Sequence, residues 1–275
     1  MNVESAGSIA ARVRAVRNRY APSLGKQGVF ALANQGLRRL LPRSVTQARL
    51  EALLFRHGIV HLDLGGWAAV EGYLTIHMSP VELYGLPNLR RVTQRQRFRS
   101  ADGACDIEMR ELDGLAVTLN FDALAGLPMA DGSMEGVNMS HFLEHFTLAQ
   151  GEAILRECRR VLRRGGTLRI SCPDLARYAA AYVSRDREFF EAVSGPAFCR
   201  YAGLETFGDR FISKAYDDDG GHKWFYDVES ATHLLRKVGF GTIEARGVHQ
   251  SRLPRIESIE PAYRERETFY VEATC

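Results

Sequence analysis

The first part of the chain has the hydrophobic spacing of helices. Apolar residues recur there every three or four positions, which places them on one side of a helix. They are Ile9, Val13, Val16 and Tyr20. Two further helices are predicted over residues 29–41 and 46–56, each closed by a proline or a glycine. We therefore predict a helical segment over residues 1–56.

From residue 57 to residue 275 short apolar runs alternate with helical patterns. Strands are predicted over residues 59–64, 73–78, 136–140, 167–172, 241–248 and 267–273. Helices are predicted over residues 149–162 and 227–237. This alternation predicts a second, α/β domain with a doubly wound, mostly parallel sheet, in which ligands bind at the carboxyl ends of the strands.

One segment departs from this alternation. Residues 105–112 and 115–121 both have strand composition, and they flank Asp113-Gly114. This dipeptide favours positive φ and is typical of a two-residue hairpin turn. We therefore predict a β-hairpin insertion with its turn at Asp113-Gly114.

The charge is unevenly distributed, although the net charge is only +3. Up to Arg56 there are ten arginines and lysines, opposed by Glu4 and Glu51. Two interpretations stay open for the basic helices: a cap that packs on the main domain with a solvated face, or a surface for an anionic substrate or for peripheral contact with anionic lipid.

Other features exclude several classes of protein. The five cysteines form no close pairs, so we predict reduced thiols in a cytoplasmic protein and no metal site. No window reaches the roughly 20 apolar residues of a membrane span.

Residues 89–99 are rich in arginine but contain a single aromatic residue, so we predict a solvated strand or a contact with a small anion, and no nucleic-acid partner. The oligomeric state is not predicted.

Residues 127–174 contain a run of ordered motifs, and their sequence is LPMADGSMEGVNMSHFLEHFTLAQGEAILRECRRVLRRGGTLRISCPD. The matching positions are Leu127-Pro128, Asp131, Ser133, Ser140-His141, Leu143-Glu144-His145 and Leu162 to Gly166. This stretch closely resembles the middle of S-adenosylmethionine-dependent methyltransferases of the small-molecule and sugar-modifying type. The resemblance continues in GHKWFYD at residues 221–227 and LLRKVGF at residues 234–240, and it covers roughly residues 59–275.

The resemblance implies a class I, Rossmann-like fold with a seven-stranded sheet and S-adenosylmethionine as the cofactor. The cofactor-binding residues predicted in this way are Asp63, Gly65, Gly66, Trp67, His77, Asp122 and Ser140. Asp122 is expected to bind the adenine amino group or simply to cap a turn.

Two residues of this set depart from the family's pattern. Trp67 stands where the family has a second loop glycine, and His77 stands where it has an acid that accepts hydrogen bonds from both ribose hydroxyls. A neutral imidazole accepts only one hydrogen bond. Each lost charge-assisted bond costs about 1.5–3 kcal/mol.

The expected reaction is in-line transfer of a methyl group to a hydroxyl of a sugar, glycan or small metabolite, assisted by one general base. Imidazole titrates near neutral pH, so the candidate bases are His141, His145 and His222. Each of these histidines could instead make a structural hydrogen bond. Trp67 and His77 motivate an alternative function: a protein of this fold that has lost methyl transfer and acts as a partner subunit, a ligand sensor or an enzyme of another reaction.

Overall fold

A computed structural model describes residues 36–37, 43–66, 69–78, 84–99, 105–193, 206–215 and 221–275. Its strands are β1 (His61–Leu64), β2 (Tyr73–His77), β3 (Asn88–Arg99), β4 (Cys105–Asn120), β5 (Met134–Ser140), β6 (Leu162–Pro173), β7 (Ile243–Ala245) and β8 (Thr268–Thr274). Its α-helices are α1 (Arg43–His57), α2 (Leu148–Val161), α3 (Leu175–Ser184), α4 (Arg187–Val193), α5 (Phe207–Ala215), α6 (Val228–Val238) and α7 (Ile256–Ile259). Short 3-10 turns occupy Ala123–Ala125, Leu143–His145 and Ala262–Arg266.

The strands form one sheet in the order β3-β4-β2-β1-β5-β6-β8-β7. The five central strands, from β4 to β6, run parallel to one another. At the two edges, β3 is antiparallel to β4, and β8 is antiparallel to both β6 and β7. The predicted α/β fold with a mostly parallel, Rossmann-like sheet is confirmed, with eight strands instead of seven.

The predicted hairpin between residues 105–112 and 115–121 is wrong, because both segments lie, up to Asn120, in one continuous strand, β4. Asp113 and Gly114 lie within β4, whose antiparallel partner is β3. Arg91 pairs with Leu115 whereas Thr93 pairs with Glu111, so the register shifts opposite the dipeptide. A dipeptide that tolerates unusual backbone angles suits a β-bulge as well as a turn. The extra residues of the longer strand are therefore absorbed in a bulge.

Helix α2 illustrates how the helices are specified. Thr147 and Gln150 form a capping box at its start, with the Thr147 side chain accepting from the Gln150 amide. The face predicted to be apolar is buried against the sheet, and its members are Ile154, Leu155, Cys158 and Val161. Helix α6 begins at the Asp227 cap and ends at Gly239, which has the left-handed conformation with φ of 99°. Both helices agree with the prediction to within one residue.

Of the predicted N-terminal segment, the structure describes residues 36–37 and 43–57. Helix α1 packs on the main core through Leu50 and Leu54, and the Thr46 hydroxyl donates to the Gly85 carbonyl at 3.1 Å. The first predicted helix and most of the second lie outside the described residues, and the boundary at residue 56 stays a prediction. Among the described helices, none combines the length and the apolar character that a membrane span requires.

Candidate functional site

The turn after β1 stands where the strand order reverses. The chain proceeds from β1 outward to β2 and β4, and then crosses to β5 on the other side of β1. In open α/β sheets the crevice at this position is the usual ligand site. Gly65 has a φ of 77°, and its amide donates to the Ile76 carbonyl at 2.8 Å. The adjacent Gly66 amide has no hydrogen-bond partner in the part of the chain that the structure describes, so it can serve a ligand.

Both glycines are required by close contacts. A Cβ atom at Gly65 would overlap the ring of Phe142, and one at Gly66 would overlap Asp63 Oδ2 and lie 2.9 Å from Thr75 Cγ2. The carboxyl group of Asp63 therefore packs directly beneath the turn. These close contacts explain why both positions hold glycine.

Asp63 is fully buried, and Asn138 Nδ2 donates to its Oδ1 at 2.8 Å. Burial raises the pKa of Asp63 to about 7, against the opposing effect of the Asn138 hydrogen bond. The nearby charge of Glu260 raises this pKa further, and His77 lowers it. The native state thus holds the Asp63 proton over a pH range in which the unfolded chain has lost it.

Replacing Asp63 by asparagine is expected to change how stability depends on pH. Because the folded pKa lies above the unfolded value, the contribution of Asp63 is fully present below pH 4 and is lost as pH rises through 7. About three pKa units correspond to about 4 kcal/mol. The variant should therefore gain up to this free energy of unfolding relative to the wild type between pH 4 and pH 8, measured by urea denaturation.

The matched control for this titration is Asp131→Asn, because the Asp131 side chain is 81% exposed. We expect this control to change the pH dependence by less than about 0.5 kcal/mol. A constant difference in free energy between Asp63→Asn and the wild type, from pH 4 to pH 8, would contradict the prediction.

Three other predicted cofactor residues lie at the same edge of the sheet. His77 ends β2, and its Nδ1 is 3.4 Å from the Gly66 carbonyl oxygen. Asp122 follows β4 and caps the next turn by accepting from the Leu124 amide at 3.0 Å, as one of its two interpretations predicted. Ser140 ends β5. Trp67 lies outside the described residues, and a cofactor role for each member of the set stays a prediction.

The three candidate bases lie together around a buried glutamate. We refer to His141, Glu144, His145 and His222 as the Glu144 cluster. His141 Nδ1 is 3.4 Å and His222 Nε2 is 4.0 Å from Glu144 Oε1, and the rings of His145 and His222 meet edge to face at 5.1 Å. Three histidines that are up to 81 positions apart in the sequence thus share one site.

Hydrogen bonds hold the outer sides of this cluster. His141 has a φ of 48°, its amide donates to Ser171, and its Nε2 is 2.9 Å from Thr268 Oγ1. His222 Nδ1 is 2.7 Å from the Lys214 carbonyl oxygen. A carbonyl can only accept, so Nδ1 carries the hydrogen and Nε2 presents its lone pair to the cluster.

Burial controls the charges of the cluster. It raises the pKa of Glu144 to about 7. Burial and, next, the charge of Arg264 lower the pKa of His141 well below its usual value. The pKa of His222 falls to about 4, because the ring is buried and lies beside His145. At neutral pH His141 and His222 are therefore uncharged.

Sequence reasoning missed the residues that support this edge. Glu260 is fully buried and accepts from the hydroxyls of Ser140 and Ser171 at 2.9 and 2.7 Å. Ser140, predicted as a cofactor residue, thus contacts a carboxylate. Arg169, also fully buried, has its Nε 3.7 Å from Glu260 Oε1. Arg169 lies within the strand predicted over residues 167–172, and a charged group in a buried strand requires a partner. This was the signal in the sequence from which a buried ionic contact could have been inferred.

Comparison with known families agrees with the predicted activity. Residues 96–170 match a family model described as "Methyltransferase domain". The matched residues include His141, Glu144 and His145 and exclude the glycine turn. No curated protein matches the chain. The family match supports a methyltransferase that uses S-adenosylmethionine.

Solved structures with low similarity include two S-adenosylmethionine-dependent methyltransferases. The protein from Archaeoglobus fulgidus is 14% identical, with 85% of this chain and 95% of that chain covered and a TM-score of 0.38. The protein from Mesorhizobium loti is 16% identical, with 88% and 96% covered and a TM-score of 0.39. The strand order, and not these similarities, identifies the fold.

Proposed function

We propose that this protein is an S-adenosylmethionine-dependent methyltransferase that acts on a hydroxyl group of a sugar, glycan or small metabolite. The observation that carries the proposal is the turn at Gly65 and Gly66. It follows the central strand where the strand order reverses, and it presents a backbone amide without a partner among the described residues. The family match over residues 96–170 supports methyl transfer and carries no information on the acceptor.

The groups around the turn suit a nucleoside that carries an amino acid. In this proposal the Gly66 amide and the Asp63 carboxyl are assigned to the methionine part, His77 to the ribose and Asp122 to the adenine. His77 and Asp63 both contact Gly66. Asp63, Gly66 and His77 are therefore close enough to one another to serve one ligand. When bound, S-adenosylmethionine supplies a methyl group activated by its sulfonium sulfur.

The Glu144 cluster is suited to the acceptor. Phe142 lies next to both sites. Its ring packs on Gly65, and in the sequence it falls between His141 and the 3-10 turn Leu143–His145. Uncharged imidazoles can hold an acceptor hydroxyl by hydrogen bonds and receive its proton. His141 is engaged with Thr268 and Glu144, which favours a positioning role. His145 and His222 are therefore the better candidates to face the acceptor oxygen.

The alternative function, a protein of this fold without methyl transfer, is not favoured. It rests on Trp67 and His77, and the hydrogen bonds lost at His77 alone are expected to weaken cofactor binding and not to abolish it. His77 itself lies against the turn, with its Nδ1 3.4 Å from the Gly66 carbonyl oxygen.

Titration with S-adenosylhomocysteine tests the proposal. The wild type should release heat on binding, and His77→Asp should bind about tenfold more tightly, because a carboxylate accepts charge-assisted hydrogen bonds from ribose that are about 1–1.5 kcal/mol stronger. Isothermal titration calorimetry measures both affinities.

The matched control is His77→Asn, which stays neutral and should bind within about threefold of the wild type. Absence of heat with millimolar ligand in the wild type and in His77→Asp alike would overturn the proposed function.

A further inference from the structure

We propose that Glu144, His145 and His222 form a binding site for one divalent transition-metal ion, of which zinc is the type. Each residue offers one ligand atom, and these atoms lie within 4.8 Å of one another. Ligand atoms around a tetrahedral zinc ion at bond lengths of about 2.0–2.1 Å are about 3.3 Å apart. Side-chain movements of about 1 Å therefore close the site.

Glu144 supplies the strongest reason for an ion at this position. Its side chain is completely buried, and Oε1 accepts no hydrogen bond from the described residues, although His141 Nδ1 lies 3.4 Å away. The other oxygen, Oε2, accepts from the Cys172 thiol at 3.4 Å. A buried carboxylate oxygen without a donor is costly. A cation between Glu144 Oε1 and His222 Nε2, which are 4.0 Å apart, would satisfy both atoms.

His222 has the supporting contact that metal-binding histidines usually have. Its Nδ1 donates to the Lys214 carbonyl at 2.7 Å, which fixes the tautomer with the lone pair on Nε2. The amides of Lys223 and Trp224 donate to the Glu144 carbonyl at 2.7 and 3.2 Å. These two bonds hold the His222 loop against the Glu144 turn, so the two ligands are positioned before an ion arrives.

Among the described residues, the positive charges that act on this cluster include those of Arg264 and of Lys214, a residue of α5. Lys214 Nζ is 3.5 Å from Glu267 Oε2, an ion pair that neutralises much of its charge. The backbone carbonyl of Lys214 faces His222, while its ammonium group is directed to Glu267. The charge of Lys214 is therefore compensated by Glu267.

The donor set decides the class of ion. Two imidazole nitrogens and one carboxylate oxygen suit zinc, cobalt, nickel or iron, whereas magnesium and calcium prefer oxygen donors alone. Three protein ligands leave a coordination position open, as in catalytic zinc sites. This inference rests on the proposed function: with His145 and His222 bound to the ion, the open position, and not the imidazole nitrogens, would hold the acceptor hydroxyl oxygen. The proton of that hydroxyl, made more acidic by the dication, would pass to water.

Cobalt titration of the full-length protein, stripped of metal with a chelator, tests the site. We expect one equivalent of Co²⁺ to bind with the visible spectrum of a nitrogen and oxygen site, without a thiolate charge-transfer band. His222→Ala and the isosteric Glu144→Gln should each weaken binding at least 100-fold. Thermal unfolding of the metal-free variants reports whether each has kept its fold.

The matched control is His233→Ala, which removes an exposed histidine of α6 and should bind Co²⁺ as the wild type does. No binding at millimolar Co²⁺, a thiolate spectrum, or equal affinity in the wild type and both ligand variants would overturn the metal site. If Glu144→Gln does not fold, His222→Ala alone tests the metal site. The His222 side chain lies in a loop and is 17% exposed.

The same metal-free protein is titrated with S-adenosylhomocysteine. Binding of the nucleoside without binding of Co²⁺ overturns the metal site and leaves the proposed function. Binding of Co²⁺ without binding of the nucleoside overturns the proposed function and supports the metal site.

Discussion

Replacing Arg169 by methionine is expected to lower the free energy of unfolding by about 3–5 kcal/mol, the usual cost of removing one partner from a buried ionic group. The guanidinium is completely buried and donates to the carbonyls of Gly247, Val248 and Gln250 at 3.1, 2.7 and 3.0 Å. Without it, these carbonyls and two buried carboxylates lose their common positive partner. Urea denaturation at neutral pH measures the loss.

The two carboxylates belong to Glu260 and Glu272, whose oxygens are 3.7 and 3.6 Å from the Arg169 guanidinium. Both are themselves nearly or fully buried. Methionine has a similar length and is apolar, so the cavity is small and the cost comes mainly from Glu260, because Glu272 keeps Arg246 Nε at 3.5 Å from its Oε2. Arg169→Lys keeps one charge but not the planar fork that reaches three carbonyls, and it should be intermediate.

The matched control is Arg156→Met, because Arg156 is 55% exposed on α2 and pairs with Glu152 on the surface of that helix. That control should change stability by less than about 0.5 kcal/mol. If Arg169→Met were as stable as Arg156→Met, the buried network would have no role in holding the segment from Gly247 to Glu260.

The sequence predicted the α/β fold because its signals are local. Helix α6 is a clear case: the Asp227 cap, the apolar spacing and Gly239 all lie within 13 residues, and the structure has the helix as predicted. The turn at Asp113-Gly114 failed because the same dipeptide suits a bulge, and only the pairing of β4 with β3 decides between them. The predicted strand over residues 241–248 is shortened to β7, Ile243–Ala245.

The candidate site was predictable where its residues follow strand ends. His77, Ser140 and His141 could be placed at the carboxyl edge from the sequence, because parallel strands bring their carboxyl ends to one edge of the sheet. Glu260 could not, because it is 120 residues from Ser140, and its bond to that hydroxyl depends on how the last part of the chain folds back. Long-range polar contacts of this kind have no periodic signature in the sequence.

Replacing Gly66 by alanine is expected to weaken binding of S-adenosylhomocysteine about tenfold or more, the equivalent of losing the hydrogen bond from the Gly66 amide. The new methyl group would overlap Asp63 Oδ2 and lie 2.9 Å from Thr75 Cγ2. Asp63 cannot move aside cheaply, because it is buried and its Oδ1 is held by Asn138 at 2.8 Å. The turn itself must therefore shift, and with it the Gly66 amide, at a cost in stability of about 1–3 kcal/mol.

Gly241→Ala is the matched control for this change. Neither glycine has a positive φ, but a Cβ at Gly241 meets nothing closer than the Thr274 carbonyl oxygen at 3.5 Å, an ordinary contact. The control should therefore bind S-adenosylhomocysteine as the wild type does in isothermal titration calorimetry. Unchanged affinity in Gly66→Ala would mean that the ligand does not approach the turn after β1. The Gly66 amide would then not be a cofactor contact, although the fold and the buried Asp63 would stand as described.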